Sequence, residues 1–404
     1  MTVGIIGGGA SGMAAALAAA ENPNVQVLLF ERQARLGRKL LATGNGRCNL
    51  SNMYACRQGY FGTDPEFAMQ ALYAFDPERT REWFRSLGLY TVTDPMGKVY
   101  PYSDQANSVV DVLRFALEKP NITVLTGFEV TKLSRSDAGF VISNGEQTFS
   151  CDRVIVACGG LAGTKLGGSM AGYKLLGKLG HRSTRLRPSL VQLKTDWPGI
   201  VALKGVRANC RAQILRDGEF YAQSHGEIQF TEYGLSGPVI FDISRDACQG
   251  AGSWTCRLDL LPYESSDTLF DELVRRRSTP LNVDELLTGI LHNRLGRVLT
   301  KEAGIRGSDA IASISDNTLK RVCYIVKNFE ISLTEPMGME NAQVTAGGVL
   351  TADFNHYTME SLLVPGLYAC GEVLDIDGAC GGYNLQWAWS SGRAAGFHAG
   401  KEEK

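Results

Sequence analysis

The first thirty residues alternate between apolar runs and a cluster of glycines. A short apolar run at 3–6 is followed by glycines in the pattern G-x-G-x-x-G at 7–12. Residues 13–20 are nearly all alanine and predict a helix, and the apolar run 25–30 predicts a second strand that ends at Glu31. This order of strand, glycine turn, helix, strand and acid is typical of a dinucleotide-binding unit.

Each residue of this pattern has a separate physical task. Gly7 allows the tight turn, Gly9 lets the backbone approach a pyrophosphate, and Gly12 lets the helix pack close to the sheet. The N–H groups at the start of the helix face the phosphates. Glu31 lies about 20 residues beyond the glycines, where the pattern requires a partner for a ribose hydroxyl. A glycine-rich turn without a ligand is the alternative interpretation.

In the rest of the chain, the spacing of apolar residues changes several times between helical and strand patterns. Helical spacing at 64–90, broken at Pro77, and at 105–118 precedes short apolar runs typical of strands. The predicted strands and later segments are residues 122–125, 128–130, 132–134, 140–142 and 147–149, a buried strand within 152–160, a helix from 171, β texture at 190–261, helical stripes at 266–320, and strand texture again at Cys323–Ile331.

This order predicts an α/β fold. A glycine unit, an antiparallel meander with a turn at Asn144-Gly145 and a buried strand ending in Gly-Gly resemble the FAD-binding domain of the glutathione-reductase type. We therefore expect a Rossmann-type FAD-binding domain with an inserted β domain and a small helical insert. The predicted boundaries are 1–189 and 341–404 for the FAD-binding domain, 190–262 and 322–340 for the β (substrate) domain, and 263–321 for the helical insert.

The loop at 36–50 is basic and rich in glycine. Arg38, Lys39 and Arg47 can neutralise pyrophosphate charge, and Gly44 and Gly46 allow close backbone approach. The alternative is a solvated basic loop.

Composition narrows the choice of partners. The 404 residues carry 41 basic and 42 acidic side chains, so we expect no nucleic-acid partner. Glycines interrupt the uncharged stretch 3–20, which argues against a membrane span, and the stretch lacks the basic n-region of a signal peptide. Ten cysteines without a C-x-x-C indicate a reducing, cytoplasmic environment, and five isolated histidines indicate no metal site. The oligomeric state is left open.

Six stretches together resemble the BaiN-like flavoprotein family, which includes aminoacetone-oxidase-type enzymes. They are GIIGGGASG, GRKLLATGNGRCNLSN, VIVACGG, FTEYGLSGP, VTAGGV and ACGEVLDIDGACGGYNLQWAWSSG, and they span residues 4–392. The resemblance implies an FAD-dependent oxidoreductase. This chain departs from the family at Glu232, where many relatives carry His, so a proton-donor role of that His does not carry over.

The resemblance also implies a set of cofactor-binding residues. The implied positions are Gly7, Gly9, Ala10, Ser11 and Gly12 at the pyrophosphate; Glu31 at the ribose, beside Arg32 and Lys39; Val130 at the adenine; Asn45, Gly46, Arg47, Cys48 and Asn49 near the flavin; Ala157 and Gly159 after the buried strand; Gly371 and Glu372 at the ribityl–phosphate region; and Gly382, Tyr383, Asn384 and Leu385 at the isoalloxazine. The helix after Gly382 directs its N–H groups at the pyrimidine end of that ring, where negative charge develops on reduction.

Several reactions fit this set. The favoured one is NAD(P)H-dependent reduction of a conjugated C=C in a small bile-acid-enone-like substrate. NAD(P)H must then meet the flavin directly, because a second complete dinucleotide-binding unit is missing from the sequence. Oxidation of a small amine or amino ketone by O₂ is the alternative. A tRNA-modifying flavoprotein and a non-catalytic flavin-binding protein are alternatives of another class, and the near-zero net charge counts against the first of them.

Candidate catalytic residues follow from the loops expected near the flavin. Arg47 and Tyr383 are the preferred substrate contacts, and Cys48 is the third candidate. Cys48 and Cys380 are either redox-active or small buried thiols, and their spacing favours the latter.

Overall fold

The computed structural model of the protein describes residues 1–401. The strands are β1 (Thr2–Ile6), β2 (Gln26–Glu31), β3 (Ser51–Asn52), β4 (Tyr60–Phe61), β5 (Thr91–Thr93), β6 (Lys98–Pro101), β7 (Ile122–Thr126), β8 (Lys132–Ser136), β9 (Gly139–Ser143), β10 (Thr148–Cys151), β11 (Arg153–Val156), β12 (Arg187–Ser189), β13 (Leu193–Lys194), β14 (Arg207–Arg216), β15 (Glu219–Phe230), β16 (Gly234–Ser236), β17 (Trp254–Asp259), β18 (Phe329–Leu333), β19 (Val344–Ala346), β20 (Leu367–Ala369) and β21 (Asp377–Gly378). The helices are α1 (Ala10–Ala19), α2 (Phe67–Ala74), α3 (Pro77–Ser86), α4 (Ala106–Ala116), α5 (Ala171–Lys178), α6 (Pro238–Ser244), α7 (Ser266–Arg275), α8 (Asn293–Glu302), α9 (Asp316–Lys327) and α10 (Tyr383–Ala399).

The chain divides into two compact units. The first unit comprises residues 1–187 and the described part of 343–404, and the second comprises residues 188–342. The finer division of the second unit into a β domain and a helical insert stays a prediction.

A parallel sheet forms the centre of the first unit, with strand order β20-β11-β1-β2-β7. Strand β1 lies between β2 and β11, so that Ile5 is level with Leu29 on one side and Ile155 on the other. All three side chains are fully buried, as expected for a parallel sheet covered on both faces. Strands β1, β2 and β11 overlap the apolar runs from which they were predicted.

Helices α1 and α10 pack against each other at very short range. A methyl group added at Gly392 would lie 2.4 Å from the backbone oxygen of Ser11, and one at Gly396 would lie 2.1 Å from that of Ala15. Gly400 repeats this contact at Ala19 one turn further along. Glycine is therefore needed at every fourth residue of this face, because any Cβ would push the helices apart.

The predicted helix break at Pro77 is confirmed. Helix α2 ends at Ala74, and α3 begins at Pro77, where the missing N–H of proline costs nothing. The carboxylate of Asp76 accepts a 2.8 Å hydrogen bond from the backbone N–H of Arg79 and so caps α3.

One predicted strand is wrong, and a second is right only in its last three residues. Residues 128–130 lie outside the strands, because Phe128 is held by its ring against Phe30 and by a backbone hydrogen bond to Glu31. Cys323 begins no strand but lies inside α9, which runs to Lys327, and the strand that follows starts at Phe329. The hydroxyl of Ser315 accepts from the N–H of Thr318 and starts this helix.

The second unit contains an antiparallel sheet with strand order β13-β16-β15-β14-β17-β18, and its strands differ in length. Helices α7, α8 and α9 bury Leu273, Leu299 and Val322 in the same hydrophobic core as the sheet residues Ile214 and Leu258. Across residues 1–401, no helix has both the length and the apolar character needed to cross a membrane.

Candidate functional site

The glycine turn after β1 has the geometry that its sequence predicts. Gly7 has a φ of +114°, and a methyl group there would lie 2.4 Å from the oxygen of Ala157. A methyl group on Gly12 would lie 1.8 Å from the oxygen of Gly7, so both positions require glycine. The space in front of Gly9 is open for 4 Å, and no side chain caps the start of α1. Such an uncapped helix start beside open space suits an anionic group.

Glu31 lies beside this turn at the end of β2. One carboxylate oxygen accepts a 2.8 Å hydrogen bond from the N–H of Gly8, and the other accepts one of 2.7 Å from the N–H of Gln33. The carboxylate is thereby held in place, and each oxygen keeps a second lone pair for a hydroxyl donor. Arg32 donates to the carbonyl of Gly167 at 2.7 Å.

Val130 lines a cleft of about 310 Å³ in the first unit. The residues around it are Glu129, Val130, Thr131, Ser169, Met170, Ala171, Lys174, Leu175 and Lys178. The contact of Val130 with adenine stays a prediction.

Residues from distant parts of the chain meet at Glu372. Its carboxylate forms a 2.8 Å ion pair with Lys39 and accepts a 2.8 Å hydrogen bond from the N–H of Thr345. Next to it, Gly371 has a φ of +75°, and a methyl group there would lie 2.5 Å from the hydroxyl oxygen of Ser11. The structure thus brings the glycine turn, the basic loop and the 371–372 segment together.

The loop at 43–49 has a strained backbone. Asn45 and Cys48 have φ values of +56° and +61°, a region that costs free energy for residues other than glycine. Gly46 and Gly159 also have positive φ values and face open space. Strain of this kind is typical of functional loops.

Arg47 projects from this loop. Its guanidinium carbon lies 4.5 Å above the ring of Tyr100, and its Nη1 lies 3.6 Å from a carboxylate oxygen of Asp104. The side chain stays 44% exposed and can therefore meet an incoming molecule. Tyr100 was not anticipated from the sequence. Burial raises the pKa of its hydroxyl, and the nearby Arg47 opposes this shift.

Cys48 lies in the same loop but is fully buried. Burial raises the pKa of its thiol to about 12, and a hydrogen bond with Thr43 only partly opposes the shift. The thiol is therefore protonated at neutral pH, and the structure gives no support to a nucleophilic role.

The start of α10 carries the last group of predicted residues. The hydroxyl of Tyr383 donates to the carbonyl of Tyr54 at 3.2 Å, and its ring meets Tyr60 edge-on at 5.7 Å. The amide of Asn384 donates to the carbonyl of Gly378 and accepts from its N–H, both at 2.8 Å. Leu385 is half-buried against the core. Asn384 therefore has a structural task, whatever it does for a cofactor.

Sequence reasoning missed Gln386, which follows directly. Its side chain is fully buried and accepts a 2.6 Å hydrogen bond from the hydroxyl of Ser51. A glutamine in the first turn of a helix normally faces solvent, so only the specificity of the motif GGYNLQ could have indicated it.

These features fit FAD. The open, uncapped start of α1 suits a diphosphate, and the buried side-chain oxygen of Asn49 has no hydrogen-bond partner among residues 1–401 although it lies beside the start of α10. The parallel sheet, the glycine turn and these loops define a Rossmann-type FAD-dependent oxidoreductase.

The chain belongs to the HI0933-like family, since the model described as "HI0933-like protein Rossmann domain" matches residues 1–398. It is 39% identical to the 3-dehydro-bile acid delta(4,6)-reductase of Clostridium scindens, over 98% of each chain. It is 31% identical to the ribosomal RNA dihydrouridine synthase of Escherichia coli, over 96% of this chain and 95% of that protein.

A solved structure shares the fold. The 3-ketosteroid delta1-dehydrogenase of Sterolibacterium denitrificans is 12% identical, with 99% of each chain covered and a TM-score of 0.51. The predicted likeness to reductases of the BaiN type is confirmed, whereas the likeness to aminoacetone oxidases stays a prediction.

Proposed function

We propose that the protein is a reductase that uses FAD to reduce a C=C bond conjugated to a carbonyl in a small hydrophobic molecule, with NAD(P)H as electron donor. The observation that carries this proposal is the 39% identity to a 3-dehydro-bile acid delta(4,6)-reductase over 98% of both chains. Bound FAD supplies the hydride chemistry, and the protein supplies binding, orientation and electrostatics.

The first unit offers a consistent set of cofactor contacts. The start of α1, with Gly7, Gly9, Ala10, Ser11 and Gly12, faces the diphosphate. Lys39 adds a positive charge there, and Glu31 accepts from the ribose. The start of α10 has no side-chain cap, so its N–H groups would stabilise the negative charge of a reduced flavin ring bound beside it.

Arg47 is the preferred substrate contact. Conjugate reduction moves negative charge onto the carbonyl oxygen of the substrate, and a guanidinium that donates to this oxygen stabilises the transition state. The stack on Tyr100 at 4.5 Å orients the guanidinium while part of it stays exposed. Tyr383, whose hydroxyl donates to the carbonyl of Tyr54, is the second proposed substrate contact.

A uridine base in ribosomal RNA is the second candidate substrate. The similarity to an Escherichia coli ribosomal RNA dihydrouridine synthase favours it. Dihydrouridine is uridine with its C5=C6 bond reduced, and that bond is also conjugated to a carbonyl. Both candidates thus share one reaction type. The near-zero net charge of the chain favours the small molecule.

The test is anaerobic mixing of the FAD-loaded protein with NADH or NADPH, followed by a 3-oxo-Δ4,6 bile acid. We expect loss of the absorbance near 450 nm with one of the nucleotides and its return with the bile acid, which gains two hydrogens. Reoxidation by unmodified ribosomal RNA instead identifies the second candidate. Rapid reoxidation by O₂ together with reduction by a small amine identifies the oxidase, and no bleaching by either nucleotide rejects the proposed donor.

A further inference from the structure

Segment 49–52 is fastened to α10 by buried hydrogen bonds. The hydroxyl of Ser51 donates to Gln386 at 2.6 Å, and the indole N–H of Trp389 donates to the carbonyl of Leu50 at 2.9 Å. The side chain of Asn52 donates to the carbonyl of Gly381 at 2.9 Å. The segment therefore has a fixed position relative to the start of the helix.

Asn49 begins this segment and differs from its neighbours. Its side chain is 9% exposed, and its buried oxygen accepts from no group in the part of the chain that the structure describes. That oxygen lies 2.9 Å from the point that a Cβ on Gly382 would occupy. Gly382 has a φ of +102° and is the N-cap of α10, so Asn49 faces the start of this helix. Nearly all buried polar atoms in proteins are hydrogen-bonded, so a buried oxygen without a partner calls for an explanation, and a bound group would supply one.

The start of α10 adds donors to this acceptor. The helix has 17 residues, with neither a side-chain cap nor an acidic residue in its first turn. The first N–H groups of a helix have no intrahelical partners. Asn49 and the helix start therefore present one amide acceptor next to several donors.

The pyrimidine end of an isoalloxazine has the complementary pattern. Two carbonyl oxygens flank an imide N–H, so the ring offers acceptor, donor and acceptor along one edge. An asparagine amide supplies one acceptor and two donors in a plane. Helix N–H groups alone cannot satisfy the imide N–H, because they are donors too.

We propose that the side-chain oxygen of Asn49 accepts the hydrogen bond of the flavin imide N3–H, while its amide nitrogen and the start of α10 donate to the adjacent carbonyl oxygens. Asn49 is thus the residue that distinguishes the imide edge of the ring. This inference rests on FAD as the proposed cofactor and is independent of the proposed substrate.

The test compares FAD with N3-methyl-FAD on flavin-stripped protein. We expect the wild-type protein to bind N3-methyl-FAD at least tenfold more weakly than FAD. Asn49→Ala should bind FAD at least tenfold more weakly than wild type and should lose the discrimination against the methylated ring. Asn355→Ala is the matched control, because its side-chain oxygen already accepts from the backbone N–H groups of Tyr357 and Thr358 and it lies outside the proposed cofactor contacts, and it should keep the discrimination.

Melting of the flavin-free variants provides a second measurement. Asn49→Ala should melt no lower than wild type, since no protein hydrogen bond is lost, whereas Asn355→Ala should melt lower because it loses two hydrogen bonds. Asn49→Asp should retain FAD and lower its reduction potential, because the carboxylate accepts from N3–H but repels the negative charge of the reduced ring.

The two proposals fail differently. If the protein binds no FAD, the proposed cofactor is wrong. If it binds FAD but wild type and Asn49→Ala discriminate equally against N3-methyl-FAD, another group meets N3 and this inference is overturned.

Discussion

The side-chain oxygen of Gln386 accepts a hydrogen bond of 2.6 Å from the hydroxyl of Ser51, which lies 335 positions earlier in the chain. The amide nitrogen of Gln386 donates to the carbonyl of Phe75 and the hydroxyl of Thr80. Gln386, Ser51 and Thr80 are buried and Phe75 is half-buried, so one fully buried glutamine joins α10 to three other segments.

Gln386→Leu should therefore destabilise the protein. It leaves the partners of the amide without hydrogen bonds, and each buried polar group left unpaired costs about 1–3 kcal/mol. We expect a loss of about 3 kcal/mol in the free energy of unfolding, measured by urea denaturation. In a double-mutant cycle with Ser51→Ala, a coupling energy near zero would contradict the direct bond.

The ion pair between Lys39 and Glu372 should control FAD affinity. Lys39→Met removes a cation and leaves the carboxylate close to the proposed diphosphate, so we expect roughly 10- to 100-fold weaker binding. Adding Glu372→Gln to Lys39→Met should restore part of the lost FAD affinity, because glutamine still accepts the hydrogen bond from the N–H of Thr345 but does not repel phosphate. Fluorescence titration of flavin-stripped protein measures both values. A double variant weaker than Lys39→Met would show that Glu372 itself binds the cofactor.

Arg47→Leu should separate the two halves of the proposed reaction. The guanidinium is expected to stabilise charge on the substrate carbonyl, so kcat/KM for the enone should fall roughly 100-fold, as for loss of an oxyanion donor. The rate of flavin reduction by NAD(P)H should remain within about twofold of wild type. Arg114→Leu, on the exposed face of α4, is the control. An equal fall in both rates would place NAD(P)H on Arg47 instead.

Close packing of α1 on α10 should make Gly396 intolerant of alanine. The added methyl group would lie 2.1 Å from the oxygen of Ala15, and overpacking of this kind costs about 1–3 kcal/mol. Gly177, inside α5, is the matched control, because a methyl group there meets nothing within 4 Å. Gly177→Ala should stabilise by about 0.5–1 kcal/mol. Urea denaturation of both variants checks the opposite signs.

Local chemistry explains which parts of the fold were predictable. The glycines at 7 and 12 and the apolar run of β1 specify a turn and a strand within a dozen residues, and the structure has both. Contacts between distant segments leave no such local pattern. Nothing near Gly396 in sequence shows that Ala15 packs on it, and nothing near Gln386 shows that Ser51 is its partner.

The strand prediction that is wrong and the one that is only partly right have a shared cause. Residues 128–130 and the stretch from Cys323 are rich in aromatic or β-branched side chains, which favour strands. In both segments, tertiary contacts override this local preference for a strand. Phe128 joins the ring cluster with Phe30 and Phe149, and the burial of Leu319, Val322, Cys323 and Val326 follows the spacing of a helix face.

Acid should destabilise the protein through His181. This ring is buried, stacks on Phe354 at 4.7 Å and lies 3.1 Å from the hydroxyl of Ser361. Burial lowers its pKa below the ordinary value, although Asp353 opposes the shift. Below about pH 6.5 the unfolded chain binds a proton that the folded protein does not, so stability falls until the folded pKa is passed.

Urea denaturation at pH 7.5, 6.5 and 5.5 measures this contribution. Because the folded pKa is lowered, the contribution of His181 is complete above the unfolded pKa and is lost as the pH falls. His181→Gln should therefore show a smaller loss of stability between pH 7.5 and 5.5 than wild type does. His356→Gln, at an exposed position, is the control for the replacement of a histidine by glutamine. Equal pH dependence of wild type and His181→Gln would show that other groups carry the acid sensitivity.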